Sequence, residues 1–268
     1  MNLRILLWNV ALKNLAKSVS ILCERLQPTI CVLLEVPPGT WSIADEPTAN
    51  HYEKRSFGKN FRVISTEPAR NFAEQFVDHL GRMSVLRFDL RGAPSILVSV
   101  VHLPSKLHGS DYGRTGFARE IARNIEQAEA DIGHSRTLLL GDLNMNPYEP
   151  GVVGAWELNA TLTRAQASLA TRTVHGHERP YFYNPMWGLL GDRTPGPPGT
   201  YYTSSPSLEL PHWQTLDQVL LRPSLIDCRH DVSIVHDLPD IPLLDAKGRP
   251  NATQLSDHLP LLLDLDYC

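Results

Sequence analysis

Apolar runs along this chain of 268 residues end repeatedly in side chains that bind cations or move protons. Asn9 closes LRILLWN, Glu35 closes ICVLLE and His102 closes ILVSVVH. Asp142 and Asn144 follow TLLLG, Asp217 heads DQVLL, and Asp257 and His258 precede LPLLLDL. Each has an ordinary explanation by itself. Asn and Asp form turns at strand ends, a Glu at the mouth of a loop is solvated, and a lone histidine is more often a hydrogen-bonded core or surface residue than a catalyst. The combination points elsewhere. Residues two apart in an extended segment face the same side, which groups Asp142 with Asn144, and Gly141 lets a backbone or ligand approach closely. If the strands share a sheet edge, the carboxylates of Glu35, Asp142 and Asp257 converge beside amides and two imidazoles. Carboxylates at close range repel one another, so such a cluster implies a cation. Oxygen-rich ligand sets favour Mg2+ or Mn2+, ions that keep waters and take up phosphate oxygens. The chemistry predicted is that of phosphate esters.

Apolar patterns supply the elements that must hold these residues. The spacing predicts buried strands over Leu3–Val10 and Thr29–Glu35. Between them Leu15, Val19, Leu22 and Leu26 recur at helical spacing over Leu15–Gln27, with Asn14 as the cap and Pro28 as the stop. Pro37–Asn60 reads as an extended loop. Strands follow over Phe61–Thr66, Arg82–Leu90 and Ser95–His102, then a helix over Arg114–Ile132 with Phe117, Ile121, Ile125 and Ala128 on one face. Thr137–Leu140 is a strand, Glu149–Leu169 has helical spacing, and Thr215–Leu221, Val232–Val235 and Leu259–Leu265 are the last strands. A Pro-, Gly- and aromatic-rich stretch, 171–211, reads as a long loop insertion in one domain spanning 1–268, since the strands after it are too few for a domain of their own.

Bulk composition narrows the classes. With 42% hydrophobic residues and a formal charge of −4, the chain has the make-up of a globular protein with a real core. No run reaches the roughly 18 apolar residues of a membrane helix. MNLRILLWNV reads as a first strand and not an export signal, and Cys23, Cys31, Cys228 and Cys268 have no CxxC spacing for zinc. A cytoplasmic location is expected. The slightly acidic balance disfavours a globally basic nucleic-acid surface, but it is largely local: setting aside Glu35, Asp142, Asp217 and Asp257 leaves 25 acidic against 25 basic residues.

The ordered set LLWNV, VLLEV, VHLPS, LLLGDLNMNP, LDQVLL and SDHLPL resembles the endonuclease/exonuclease/phosphatase (deoxyribonuclease I-like) superfamily from residue 5 to residue 265. GDLN and SDHLP together carry the specificity. The resemblance implies an α/β (α+β) four-layer sandwich, two mainly antiparallel β-sheets packed face to face and flanked by helices, with the site at one edge. It implies Glu35 as principal metal carboxylate with Asn9 beside it and Asp257 as a further metal-side acid. Asp142 would orient or deprotonate the attacking water. Asn144 would donate to the phosphate or the water. His258, held by Asp217, would contact the phosphate, with His102 a second phosphate-side imidazole. Either histidine could be the cation or the acid. The cofactor implied is Mg2+ or Mn2+, and the reaction is in-line water attack on phosphorus. Ala11 stands where abasic-site endonucleases carry an acid, and the segment around Trp213 lacks the 5-phosphatase pattern, which lowers inositol phosphates.

Three functions follow. The first is a nuclease cleaving DNA or RNA phosphodiesters, to which Arg119 and Arg123, four apart on the long helix, could offer phosphate contacts; their alternative is pairing with Glu120, Glu126 or solvent. The locally basic Lys54–Arg62 would serve the same end. The second is a phosphatase or phosphodiesterase for a small molecule, nucleotide or lipid head group. The third, a non-catalytic binding protein, is disfavoured by the intact set of site residues.

Overall fold

The computed structural model describes residues 2–38, 53–57, 61–66, 71–90, 92–105, 111–205 and 211–267. In chain order the elements are β1 (Asn2–Asn9), α1 (Ala16–Leu26), β2 (Ile30–Leu34), β3 (Glu53–Phe57), β4 (Phe61–Ser65), β5 (Phe72–Val77), β6 (Met83–Phe88) and β7 (Ile96–His102). Then come α2 (Asp111–Ile132), β8 (Thr137–Asp142), α3 (Pro150–Val153), β9 (Ala160–Thr161), α4 (Arg164–Ala167), β10 (Thr171–Val174), β11 (His177–Pro180) and β12 (Phe182–Tyr183). Strands β13 (Tyr201–Tyr202), β14 (Trp213–Gln214), β15 (Asp217–Leu221), β16 (His230–Ile234) and β17 (Leu261–Asp266) complete the chain.

Two large sheets carry the fold, with orders β16-β17-β1-β2-β4-β3 and β5-β6-β7-β8-β15-β12-β9. Pairing is antiparallel except for β1/β2, β7/β8 and β9/β12. The strands read as continuous apolar runs because both of their faces are covered. Along β8, Leu138 and Leu140 join one apolar cluster with residues of β1, β2 and β17, while Leu139 joins another with Ile121, Ala122 and Ile125 of α2. A strand's side chains alternate between faces, so Leu138 and Leu140 face the other sheet while Leu139 lies beneath α2. The first cluster takes in both faces of β1, through Leu6 and Leu7, and so continues to the far side of that sheet. Helix α1, the crossover joining the parallel strands β1 and β2, presents Val19, Leu22 and Cys23 to the first cluster. Helix, sheet, sheet, helix: the four layers are those expected.

Several local expectations were displaced by tertiary contacts. Leu15 and not Asn14 holds the cap position of α1, without a side-chain hydrogen bond, while Asn14 Oδ1, one residue earlier, accepts the Ala16 N–H at a long 3.5 Å. Glu149–Leu169 is not one helix but α3 and α4, separated by β9. Gly154 takes an extended conformation at the end of α3, and the Thr163 side chain accepts from the Gln166 N–H to start α4 anew. The stretch 171–211 is not all loop: His175 and Gly176, both at positive φ, close a tight hairpin between β10 and β11, the turn chemistry such a hairpin requires. Strand β3 falls inside the segment read as a loop, and β5 was not anticipated; both are half-polar edge strands. The basic Lys54–Arg62 segment lies partly outside the described residues.

Candidate active site

Strand ends, not loops, set the positions of the predicted residues. Asn9 ends β1 and pairs with Leu34 of β2, which delivers Glu35 one residue later. Across the gap between the sheets, His102 and Asp142 end β7 and β8 side by side, and Asp142 faces Asp217 at the start of β15. Gly141 makes this possible. At φ +150° its missing Cβ would lie 1.9 Å from the Val101 carbonyl oxygen of β7, so no other residue lets the two strands close at that point. His258 arrives just before β17, anchored by Trp8 Nε1–H donating to its carbonyl at 2.9 Å.

The side chains converge. Asn9 Nδ2 donates to Glu35 Oε1 at 3.3 Å and to Asp142 Oδ2 at 3.1 Å. Its oxygen accepts the Ala11 N–H at 2.9 Å, which fixes the amide's orientation. His102 Nε2 lies 3.2 Å from Glu35 Oε1 and 3.8 Å from Asp142 Oδ2. His258 Nδ1 meets Asp217 Oδ2 at 2.7 Å, and its Nε2 stands 3.9 Å from Asp142 Oδ2. The Asn144 backbone N–H donates to Asp142 Oδ1, and its Nδ2 donates to the Leu103 carbonyl, both at 2.8 Å. Of these groups Glu35, Asp142, Asn144 and His258 line a cleft of about 230 Å³ together with Asp257, faced by Tyr201, Thr203 and Gln214, while Asn9, His102 and Asp217 stand behind them.

Among solved structures, TDP2 from D. rerio complexed with a single-strand DNA product matches at a TM-score of 0.63 and 16% identity, over 98% of both chains. An AP endonuclease from Archaeoglobus fulgidus matches at 0.58 and 13%, over 98% of this chain and 99% of that one. The human Nocturnin catalytic domain with bound sulfate matches at 0.57 and 16%, over 100% of this chain and 95% of that one. The chain has the endonuclease/exonuclease/phosphatase fold. No protein-family model and no curated protein matches the sequence.

Within that fold the ionisable groups of the site act on one another at close range. Glu35 is held below the usual carboxylate range, chiefly by its hydrogen bond to His102 and against the opposing effect of burial. Burial works against charge on both histidines and is outweighed at both. The Glu35 hydrogen bond and the nearby Asp142 raise His102. The charge and hydrogen bond of Asp217, with Asp142 and Asp257, raise His258 to about 10, so it is an imidazolium at neutral pH. Asp142 is pushed up, first by burial.

The donor set fits a divalent cation. Glu35, His102 and Asp142 can each offer one ligand atom within 4.8 Å of the others. Asp142, Asp217 and His258 lie equally close, but a protonated imidazole has no free lone pair, so the second group fits a cation only through its two carboxylates. Carboxylate oxygens dominate both groups, and Asp217 Oδ1 is buried without a hydrogen-bond partner. Asn9 turns its NH2 to the carboxylates while its oxygen accepts the Ala11 N–H, so in this arrangement it braces the acids beside Glu35. Arg119 and Arg123 do not line the cleft; they border a separate depression along α2, and Arg119 is paired with Glu157 at 2.7 Å. Among residues that sequence reasoning missed, Trp8 and Ser256 hold the His258 segment: Ser256 Oγ donates to the Asn9 carbonyl at 2.6 Å and accepts the His258 N–H at 3.0 Å. Only the Ser of SDHLP carried a signal. Among the described residues, no helix is long and apolar enough to cross a membrane.

Proposed function

We propose that this chain is a divalent-metal-dependent phosphoester hydrolase that cleaves phosphodiester bonds of DNA or RNA. The observation that carries the reading is the convergence of Glu35, Asp142, Asp257 and His258 on one cleft, with His102 and Asp217 packed directly against them. Structures of the same fold named for endonuclease action, or holding a DNA product, support it. Glu35, with Asp257 on the cleft wall, would hold the cation, and Mg2+ or Mn2+ suits their hard oxygens. When bound, the ion supplies Lewis-acid polarisation of a phosphoryl oxygen. Asp142, its pKa raised by burial, is suited to take a proton from the attacking water. Asn9 and the Asn144 N–H hold its oxygens in place. His258, kept cationic by Asp217, presents Nε2–H to the non-bridging oxygens as charge builds there. His102 takes the same side, and the Asn144 amide on the cleft wall can donate alongside.

A second reading, a small phosphoester as substrate, is favoured by the cleft's volume of about 230 Å³ and by the absence of Arg119 and Arg123 from its lining. The discriminating experiment supplies Mg2+ or Mn2+ and compares labelled single- and double-stranded DNA and RNA with a panel of small phosphoesters. EDTA and Asp142→Asn serve as controls. Nucleic-acid cleavage that weakens steeply with salt supports the first reading, and salt-insensitive turnover of a small ester supports the second. A folded, metal-supplied protein that hydrolyses none of them would refute both.

A further inference from the structure

Between β1 and α1 the chain makes an unusual turn. Ala11 and Leu12 are successive non-glycine residues in the left-handed region, at φ 51° and 54°, a conformation L-residues adopt only when their surroundings impose it. The turn is pinned on the metal side of the cleft. Ala11 N–H donates to the Asn9 side chain, Leu12 N–H to the Glu35 carbonyl at 2.9 Å, and Lys13 N–H to the Val10 carbonyl at 3.0 Å. Its effect is to swing the Lys13 side chain to the opposite wall, where Nζ donates to the carbonyls of Ala252 and Leu255. Those carbonyls belong to the turn that leads directly into Ser256, Asp257 and His258. That turn is closed by Leu255 N–H on the Asn251 carbonyl at 2.7 Å.

We infer that Lys13 is a positioning residue for the hydrolytic reaction, a clasp that sets how closely the Asp257–His258 wall approaches Glu35 and Asp142. The inference rests on the site reading given above. Trp8 and Ser256 fix the His258 end of this wall to β1; Lys13 fixes the end that enters it, ahead of Asp257. An ammonium with two carbonyl acceptors makes charge-assisted hydrogen bonds, stronger than neutral ones, and Lys13 is only half-buried, so its loss leaves the core untouched.

The test compares Lys13→Met, Lys13→Arg and the wild type with metal supplied, using a cleaved substrate from the screen above. The side-chain 15N spectrum of His258 is recorded in parallel. Lys13→Met is expected to lower kcat by about ten- to a hundred-fold, the effect of a displacement near 1 Å in a reacting geometry, with KM changed less than threefold, and to move the His258 signals. Lys13→Arg, which keeps the charge and two donors, should restore kcat to within a few-fold. Lys13→Met with wild-type kcat and an unmoved His258 spectrum would overturn the inference. So would equal losses in Lys13→Met and Lys13→Arg that track a lowered Tm. If the wild type hydrolyses no phosphoester, the proposed function fails, and the His258 spectrum alone then decides the clasp: moved signals support it and unmoved signals overturn it.

Discussion

Replacing Asp217 by Asn tests the electrostatic core of the site. Asp217 Oδ2 lies 2.7 Å from His258 Nδ1 with both side chains buried, and the histidine is raised to about 10 although burial alone would lower it. Asp217→Asn keeps the shape and removes the charge, leaving only Asp142 and Asp257 to oppose burial, so His258 should titrate well below its native value of about 10. Each tenfold change in a protonation equilibrium corresponds to about 1.4 kcal/mol, so the fall in the His258 value on substitution measures what the charge of Asp217 contributes to the imidazolium. The sign for stability follows from linkage. A histidine whose native pKa exceeds its unfolded one stabilises the fold fully below about pH 6.5, and that stabilisation is lost as the pH rises through the native value. Between roughly pH 7.5 and 9 the metal-free native protein holds one proton that the unfolded chain has released. The unfolding free energy should therefore fall by about 1.4 kcal/mol per pH unit on this account. Urea titrations of the EDTA-treated wild type and Asp217→Asn across that range isolate the difference, because other titrating groups are common to both. Imidazole 15N shifts give the pKa directly. A His258 that stays protonated above pH 9 in Asp217→Asn, or parallel stability slopes in the two proteins, would refute the reasoning.

Further outcomes are expected. Gly141→Ala, whose Cβ would meet the Val101 carbonyl at 1.9 Å, should part β7 from β8; soluble yield and Tm should both collapse, and a variant as stable as the wild type would contradict the geometry. Arg222, 2% exposed, pairs with Glu129 at 2.8 Å beneath α2 and stacks over Phe182. Arg222→Ala should lower urea stability by about 3–5 kcal/mol, because it strands a buried carboxylate. Arg119→Ala, losing an ion pair whose arginine is 56% exposed, should change stability by less than about 1 kcal/mol. It should also leave the salt dependence of any nucleic-acid cleavage unaltered, and a reduced salt slope would show that the helix does touch the substrate backbone.

The polar residues at strand ends were legible because a buried run has no local reason to finish on Glu35, His102 or Asp142, and because GDLN and SDHLP fix their order. The long helix α2 was legible for a similar reason: one face of it is continuously apolar over several turns. What escaped was decided by contacts distant in sequence. The orientation of Asn9 depends on an N–H two residues on and on acids 26 and 133 residues away. Arg119 looked available because its partner Glu157 lies 38 residues away, beyond the reach of any helical-spacing rule. The break between α3 and α4 is imposed by β9 pairing with β12, so apolar spacing over Glu149–Leu169 gave a helix that the sheet does not permit.

Strands β1, β2, β7, β8 and β15 are all interior members of their sheets. An interior strand cannot swing away without giving up two ladders of hydrogen bonds at once, so its opening belongs to the slowest, most global class of motion. The amides of Trp8, Leu140 and Val219 are therefore expected to exchange with solvent only when the whole molecule unfolds. The geometry of the candidate site then has the lifetime of the native state itself. A ligand meets it already assembled, and discrimination among ligands falls to the segments bordering the cleft, where sequence can vary without disturbing the frame beneath.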